Sequence, residues 1–322
     1  MEKVLVTGGA GYIGSVLVRI LLAKGYKVRV VDYLAFGGES LLDVFSNPNL
    51  EMVRADIREK NYDYLNGIDA VCHLAAIVGD PACKKFAKDA QEINSEASIA
   101  LYAECCKRKI KRFVFASTCS NYGKMTDSSQ FLTETSELRP VSFYAELKVA
   151  FEKHLLANYS KHEVTTTILR FSTVYGLAPR MRFDLTVNEF TRDVTAGKEL
   201  VIYGEQFWRP YCHVYDLANS MALTLDKDKA LVNGEVFNVG DTSENYNKKM
   251  LAENIQNVIG SIPVKFVPQT DDPRDYRVDF SKIKNKLGFT ITKKVPDGIR
   301  EINNAIKLGI ISNPFSEKYS NI

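Results

Sequence analysis

Apolar and polar positions follow two rhythms through the first half of the chain. Six short runs, residues 3–7, 27–32, 50–54, 70–74, 112–117 and 165–170, are β-rich. Several are apolar without interruption, as strands covered on both sheet faces must be. Between them, residues 12–24, 84–108 and 143–159 carry apolar side chains at helical spacing. Strand and helix in strict alternation predict an α/β fold built on a doubly wound parallel sheet. After Arg170 the rhythm breaks at Gly176, Pro179, Gly197, Gly204 and Pro210, then resumes as short mixed elements with one further buried strand at 236–239. The second half therefore reads as a smaller mixed α/β lobe. Residues 1–175, completed by 210–240, are expected to form the first domain, and 176–209 with 241–322 the lobe.

Composition agrees with a folded chain of this kind. Of 322 residues, 45% are hydrophobic and 25% charged, which excludes disordered and collagen-like classes. A net charge of +3 is too small to point to nucleic acid or an anionic membrane as the partner. The basic run 107–112 falls where a long helix should end, and cations there complement the helix dipole. Cys72, Cys83, Cys105, Cys106, Cys119 and Cys212 form no C-x-x-C pair and read as reduced, packing thiols with no metal site. No apolar stretch approaches 18 residues, and the first strand begins at Lys3, so the expectation is a cytoplasmic protein without a leader.

Chemistry enters at Thr7-Gly8-Gly9-Ala10-Gly11-Tyr12-Ile13-Gly14, between the first strand and first helix. Glycines there allow a tight turn, close approach of backbone to a pyrophosphate, and packing of helix against strand, as in the Rossmann fold. Asp32 ends the second strand 18 residues past Gly14, where a carboxylate can accept ribose hydroxyls. Its charge would repel a 2′-phosphate, and Tyr33-Leu34-Ala35 offers no cation to hold one, so NAD is expected over NADP. No G-x-x-x-x-G-K-[ST] loop is present, which leaves a P-loop nucleotidase unsupported.

A second constellation is Tyr144-Ala145-Glu146-Leu147-Lys148, preceded by Ser117-Thr118 at the end of the fifth strand. Residues four apart share a helix face, so phenol and ammonium can enter one site. A cation about 6 Å from a phenol, at an effective dielectric near 20, contributes roughly 3 kcal/mol to the phenolate, or about two pKa units. That would bring Tyr144 towards the range of a general base.

With both constellations placed, the chain resembles the extended short-chain dehydrogenase/reductases, specifically the NAD-dependent sugar-nucleotide epimerase/dehydratase family. The resemblance implies that Gly8, Gly11, Tyr12, Ile13, Gly14 and Asp32 cradle NAD, that Asp56 and Ile57 touch adenine, and that Leu74, Ala75 and Ala76, with Asn94, line the cofactor channel. It implies Tyr144, Lys148 and Thr118 as the catalytic group, with Lys148 also on the nicotinamide ribose. In the lobe, Arg209 of the run Arg209–Ala218 and Arg274 of Asp272-Pro273-Arg274-Asp275-Tyr276 are similar to arginines that hold the substrate diphosphate. Guanidinium suits that role because its fork matches phosphate geometry. His213 reads as structural, and Cys119 as a small residue near the cofactor.

The departures bear on the reaction. Dehydratases of this family carry an acid just after the threonine, where this chain has Cys119 and Ser120, so dehydration is disfavoured. Thr173 stands where many relatives have asparagine on the diphosphate. The run 179–185, containing Arg182, then Asn188 and Arg274-Asp275-Tyr276, look like a subgroup that includes GDP-heptose 4-dehydrogenases. The expected activity is oxidation of a sugar hydroxyl, at carbon 4, followed by re-reduction. A one-way 4-dehydrogenase or 4-ketoreductase is the alternative, and a non-catalytic NAD-binding scaffold or sensor a further one. The resemblance also implies a homodimer that pairs the helices near 84–108 and 143–159, with Ile99, Leu155 and Leu156 available to the contact.

Overall fold

The structure is a computed structural model that describes residues 2–321 except 126, 128, 129, 271 and 273, so Pro273 lies outside the described residues. Seven parallel strands form the central sheet: β1 (Lys3–Thr7), β2 (Lys27–Asp32), β3 (Leu50–Arg54), β4 (Ala70–His73), β5 (Arg112–Thr118), β6 (Thr165–Phe171) and a late strand at Glu235–Val239. Three short strands lie between β6 and that late strand: β7 (Thr173–Tyr175), β8 (Leu200–Tyr203) and β9 (Trp208–His213); the late strand is therefore β10. The sheet order is β3-β2-β1-β4-β5-β6-β10, which reverses direction beside β1. The carboxyl ends of β1 and β4 meet at this switch point, where such sheets bind ligands.

The inner strands β1, β4, β5 and β6 are buried on both faces, which explains the uninterrupted apolar runs, whereas the edge strand β3 leaves Glu51 and Arg54 exposed. Val4 and Val6 join one core with Leu17, Leu217, Met221 and Phe237. Leu5, between them, points to the other core with Val71, Leu101, Phe113 and Phe151. The first layer is formed by α1 (Tyr12–Ala23) and a later helix at Val214–Leu225, the second by helices after β4 and β5.

The helix expected over 84–108 is not continuous. It comprises α2 (Asp80–Lys85), α3 (Ala87–Gln91), a π-helical stretch at Glu92–Ala97, and α4 (Ser98–Lys107). Phe86, at φ −116° and ψ 50°, breaks the first two apart. The π turn lets the Ser98 hydroxyl donate to the Ile93 carbonyl five residues back, and it is the stretch that carries Asn94. α5 (Phe143–Asn158) follows β5, with Ser142 capping it through the Ala145 amide.

Outside the seven-stranded sheet lie α6 (Thr186–Thr195) and two small sheets. One orders β11 (Asn245–Asn247), β9 and β7, and the other pairs β12 (Val264–Val267) with β8. The helix at Val214–Leu225 is α7, Lys229–Val232 is α8, and α9 (Lys248–Ile259), α10 (Ser281–Leu287) and α11 (Val295–Lys307) complete the chain. Leu155 corrects one expectation: it is fully buried in the second core, so it is not available to a helix-pairing contact, whereas Leu156 is exposed and Ile99 half-buried. No helix among the described residues is long and apolar enough to cross a membrane.

Candidate active site

The glycine turn closes on itself because side chains would not fit. Gly8 has φ +74°, and a Cβ there would lie 2.9 Å from the Ala75 nitrogen. A Cβ on Gly14 would stand 2.1 Å from the Gly8 carbonyl oxygen. Gly11 opens α1 without any side-chain cap, which leaves the first-turn amides at Tyr12 and Ile13 for an anion. Asp32 is tied to the same turn: its carboxylate accepts from the Ala10 amide at 3.0 Å and the Leu34 amide at 2.8 Å. Burial raises its pKa while those two amides pull it down. Each oxygen keeps a lone pair for a ribose hydroxyl. Turn, uncapped helix and carboxylate together fit a dinucleotide.

The segment after β4 packs against the glycine turn. Thr7 Oγ1 accepts from the Leu74 and Ala75 amides, both at 3.2 Å, and meets His73 Nδ1 at 2.7 Å. Because Ser98 donates to Ile93, His73 must donate through Nε2 to Ser98, at 2.9 Å, which assigns the neutral Nε2–H tautomer. Burial, with Lys148 nearby, lowers the His73 pKa to about 3. Asn94 holds the segment's far end: its amide oxygen accepts from the Ile77 amide at 2.9 Å and its nitrogen donates to the Ile77 carbonyl at 2.8 Å. Asn94 thereby shapes the channel wall by mimicking a backbone partner. Asp56 is gripped by Arg58, which also reaches Asp89 and Glu92, and Ile57 lies in the second core.

Lys148 is 4% exposed and donates to the Ala116 carbonyl at 2.9 Å, two residues before Thr118. Its nitrogen is 4.7 Å from the Phe115 ring centroid and 5.9 Å from that of Tyr144. Burial lowers its pKa to about 8. Thr118 ends β5, its hydroxyl accepting from the Ser120 amide at 3.1 Å. The sequence had suggested a phenol pulled down by the ammonium, but burial pushes the Tyr144 pKa up. The cost of an enclosed phenolate outweighs a cation whose hydrogen bond goes to the Ala116 carbonyl.

Behind Thr118 lies a charged network that the sequence alone did not reveal. Glu152, one turn beyond Lys148, accepts from Arg170 Nη2 at 2.7 Å and Nε at 3.1 Å, from Asn121 at 2.8 Å, and from the Ser117 hydroxyl. Arg170 continues to the Tyr122 hydroxyl at 3.0 Å, which donates to Asn238 at 2.7 Å. Cys119 is fully buried, with its thiol directed to the Arg170 carbonyl at 3.2 Å.

On the lobe side, Arg209 binds Asp272 through both carboxylate oxygens, at 2.9 and 3.0 Å. Arg274 reaches Asp80 at 2.8 Å, while its amide donates to Asp272. The two arginines thus flank one carboxylate, and Arg274 also bridges to Asp80 at the start of α2. Arg182 forms a forked pair with Asp184 at 2.9 and 2.7 Å. Asn188 is completely buried and spends its amide on the Gly176 nitrogen, the Arg182 carbonyl and the Tyr12 hydroxyl. Tyr12 in turn donates to the Gly176 carbonyl at 2.5 Å, so Tyr12 and Asn188 join α1 to the lobe through hydrogen bonds inside the fold. Thr173 is half-buried on β7, opposite Tyr211. His213 commits both ring nitrogens, to Glu301 and to the Tyr215 amide. Among the described residues no group of three or more His, Cys, Asp or Glu side chains could hold a metal ion.

The model of the NAD dependent epimerase/dehydratase family matches residues 4–240. The chain is 31% identical over 315 residues to the dTDP-glucose 4,6-dehydratase of Streptomyces niveus, covering 93% of this chain and 91% of that one. Among solved structures it is similar to the UDP-glucuronic acid 4-epimerase of Bacillus cereus in complex with UDP-glucuronic acid and NAD, with a TM-score of 0.85, 26% identity, and 95% and 99% of the two chains covered. It is equally similar to DesIV, the dTDP-glucose 4,6-dehydratase of Streptomyces venezuelae with NAD and TYD bound, with a TM-score of 0.85, 27% identity, and 98% and 100% covered.

Proposed function

The chain belongs to the NAD dependent epimerase/dehydratase family, and from that premise we propose that it oxidises a secondary hydroxyl of a nucleotide-diphosphate sugar, at carbon 4, and re-reduces the resulting ketone. The observation that carries this reading is that Lys148 bonds to Ala116 two residues before Thr118 at the end of β5 and stands beside the Tyr144 ring, in a fold whose glycine turn and Asp32 fit NAD. NAD when bound supplies the hydride acceptor and the positive charge of the oxidised nicotinamide. Burial keeps Tyr144 protonated on its own, so it would act as base only once the positive charge of bound NAD, added to that of Lys148, favours the phenolate. The phenolate would then take the hydroxyl proton while Thr118 holds the same hydroxyl in line and Lys148 donates to the nicotinamide ribose. Arg209 and Arg274 exchange Asp272 and Asp80 for the substrate diphosphate. On reduction Tyr144 returns the proton, so the group ends in its starting state.

Elimination of water is disfavoured by geometry as well as by residue type. Cys119 points its thiol into the interior, and Ser120 is a neutral hydroxyl 3.5 Å from that of Tyr276, so neither can act as the acid that expels a leaving hydroxyl. In this reading residues 1–175 with 210–240 hold the cofactor, and 176–209 with 241–322 cradle the sugar nucleotide. Two copies pair through the outer faces of α4 and α5, using Ile99 and Leu156, in the cytoplasm; a single-chain mass in light scattering at micromolar concentration would remove the dimer.

A panel of UDP-, dTDP- and GDP-sugars, with products read by NMR and the near-ultraviolet band of reduced nicotinamide, tests the reaction. An epimer without accumulated NADH is the expected result. Stoichiometric NADH with a released keto-sugar would establish the one-way oxidation instead, and no turnover on any member with NAD firmly bound would favour a scaffold.

A further inference from the structure

Arg180 is a buried guanidinium for which no carboxylate is in place. It belongs to the stretch from Gly176 to Asp184 that crosses the start of α1, where Met181 and Phe183 share a core with Tyr12 and Val16. Arg180 is only 7% exposed. Its Nη2 donates to the Ser320 carbonyl at 3.1 Å, and its Nε is buried without an acceptor. The nearby acid, Asp184, is already held in the fork of Arg182. Burial and the charge of Arg182 lower the Arg180 pKa to about 10, which still leaves it protonated at neutral pH. Enclosing a cation whose only nearby acid is already paired with another arginine is costly, and an anionic ligand would offset that cost.

The other wall identifies that anion. The Arg180 guanidinium carbon lies 4.2 Å from the centroid of Phe36, a side chain 52% exposed in the loop that follows Asp32. The loop after β2, on whose Phe36 the guanidinium stacks, follows Asp32, and the segment that carries Arg180 is bonded through Gly176 to Tyr12 at the start of α1, so both neighbours of the glycine turn converge on it. The substrate arginines Arg209 and Arg274 lie elsewhere, around Asp272.

We propose that Arg180, stacked on Phe36, binds the pyrophosphate of NAD and so fastens the lobe segment 176–184 over the bound cofactor. The guanidinium fork would complement the α1 amides, which approach the phosphates from the glycine turn. The proposal rests on the assignment of NAD to the glycine turn but not on which sugar is the substrate.

The test is calorimetry on the full chain freed of nucleotide, with NAD in one arm and UDP, dTDP and GDP in another. Arg180→Met is expected to weaken NAD binding roughly 10- to 100-fold, the range for a lost charged hydrogen bond, and to flatten its dependence on salt. Affinity for the nucleoside diphosphates should not change. Arg180→Lys, which keeps the charge and loses the fork, should fall between and serves if the Met variant does not fold. Unchanged NAD affinity with a lowered melting temperature would overturn the proposal, making Arg180 a strut for the segment at Ser320. Weakened nucleoside-diphosphate binding with NAD unaffected would overturn it in favour of the substrate phosphates. Absence of NAD binding by the unaltered chain would sink the cofactor assignment as well, whereas normal binding by Arg180→Met sinks this proposal alone.

Discussion

Replacing Glu152 by Gln changes one atom in a side chain that is 1% exposed and is expected to cost the fold about 3–5 kcal/mol. The carboxylate receives four donors: two from Arg170, one from Asn121 and the Ser117 hydroxyl. A glutamine offers one acceptor oxygen and turns an NH2 group towards those donors, leaving Arg170, itself 3% exposed, as an unopposed cation. An exposed pair of the same geometry is worth at most about 1 kcal/mol, so the measured loss tells whether burial sets the scale. Urea denaturation at pH 7 of Glu152→Gln, Arg170→Met and the double variant closes a cycle. The double variant should be less destabilised than the sum of the singles by about 1–3 kcal/mol, because removing both charges removes the orphan. Ser117 and Asn121 stand on either side of Thr118, so the single variant should lose kcat while NAD affinity holds. A loss under 1 kcal/mol with additive singles would refute the reasoning.

Gly14→Ala brings a Cβ to 2.1 Å from the Gly8 carbonyl, which forces the turn open, and NAD affinity by fluorescence titration is expected to fall at least roughly tenfold. His73 titrates near 6.5 when unfolded and at about 3 when folded, so between those values the unfolded chain binds the extra proton and stability is lost as pH falls. The slope should reach about 1.4 kcal/mol per pH unit, and His73→Gln should flatten it in urea midpoints compared at pH 7 and pH 5. Arg209→Ala, which leaves Asp272 without its forked partner, should weaken binding of the sugar nucleotide by roughly 1.5–3 kcal/mol in calorimetry and leave NAD binding unaltered.

The doubly wound sheet was legible because strands and helices alternate and several strands are apolar on both faces, a pattern that needs no tertiary information. The close approach of the glycine turn and its tie to Asp32 were legible for a related reason, since both follow from local geometry at fixed spacing. Long-range commitments of polar side chains were not legible. Asn188 and Tyr12 are adjacent to ligand-binding motifs in sequence, yet they spend their polar groups on each other and on Gly176 across the lobe junction. Asn94 sits on a π turn that periodicity reads as ordinary helix, and Leu155 and Leu156 differ in burial although both fit an apolar stripe. The phenol of Tyr144 shows the same limit in electrostatics: spacing predicts the cation, but only the fold shows Lys148 donating to Ala116 and burial raising the phenol's pKa.

The central claim is that Tyr144 moves the proton while NAD accepts hydride from the sugar. It is tested most directly by single turnover of the substrate identified in the panel, deuterated at carbon 4, on the NAD-loaded chain and its Tyr144→Phe variant. The account predicts a transient reduced-nicotinamide band that is slowed by deuterium in the unaltered chain and absent in the variant, with NAD and substrate binding retained in both. A band of normal rate in Tyr144→Phe, or turnover insensitive to deuterium and without reduced nicotinamide, would contradict it.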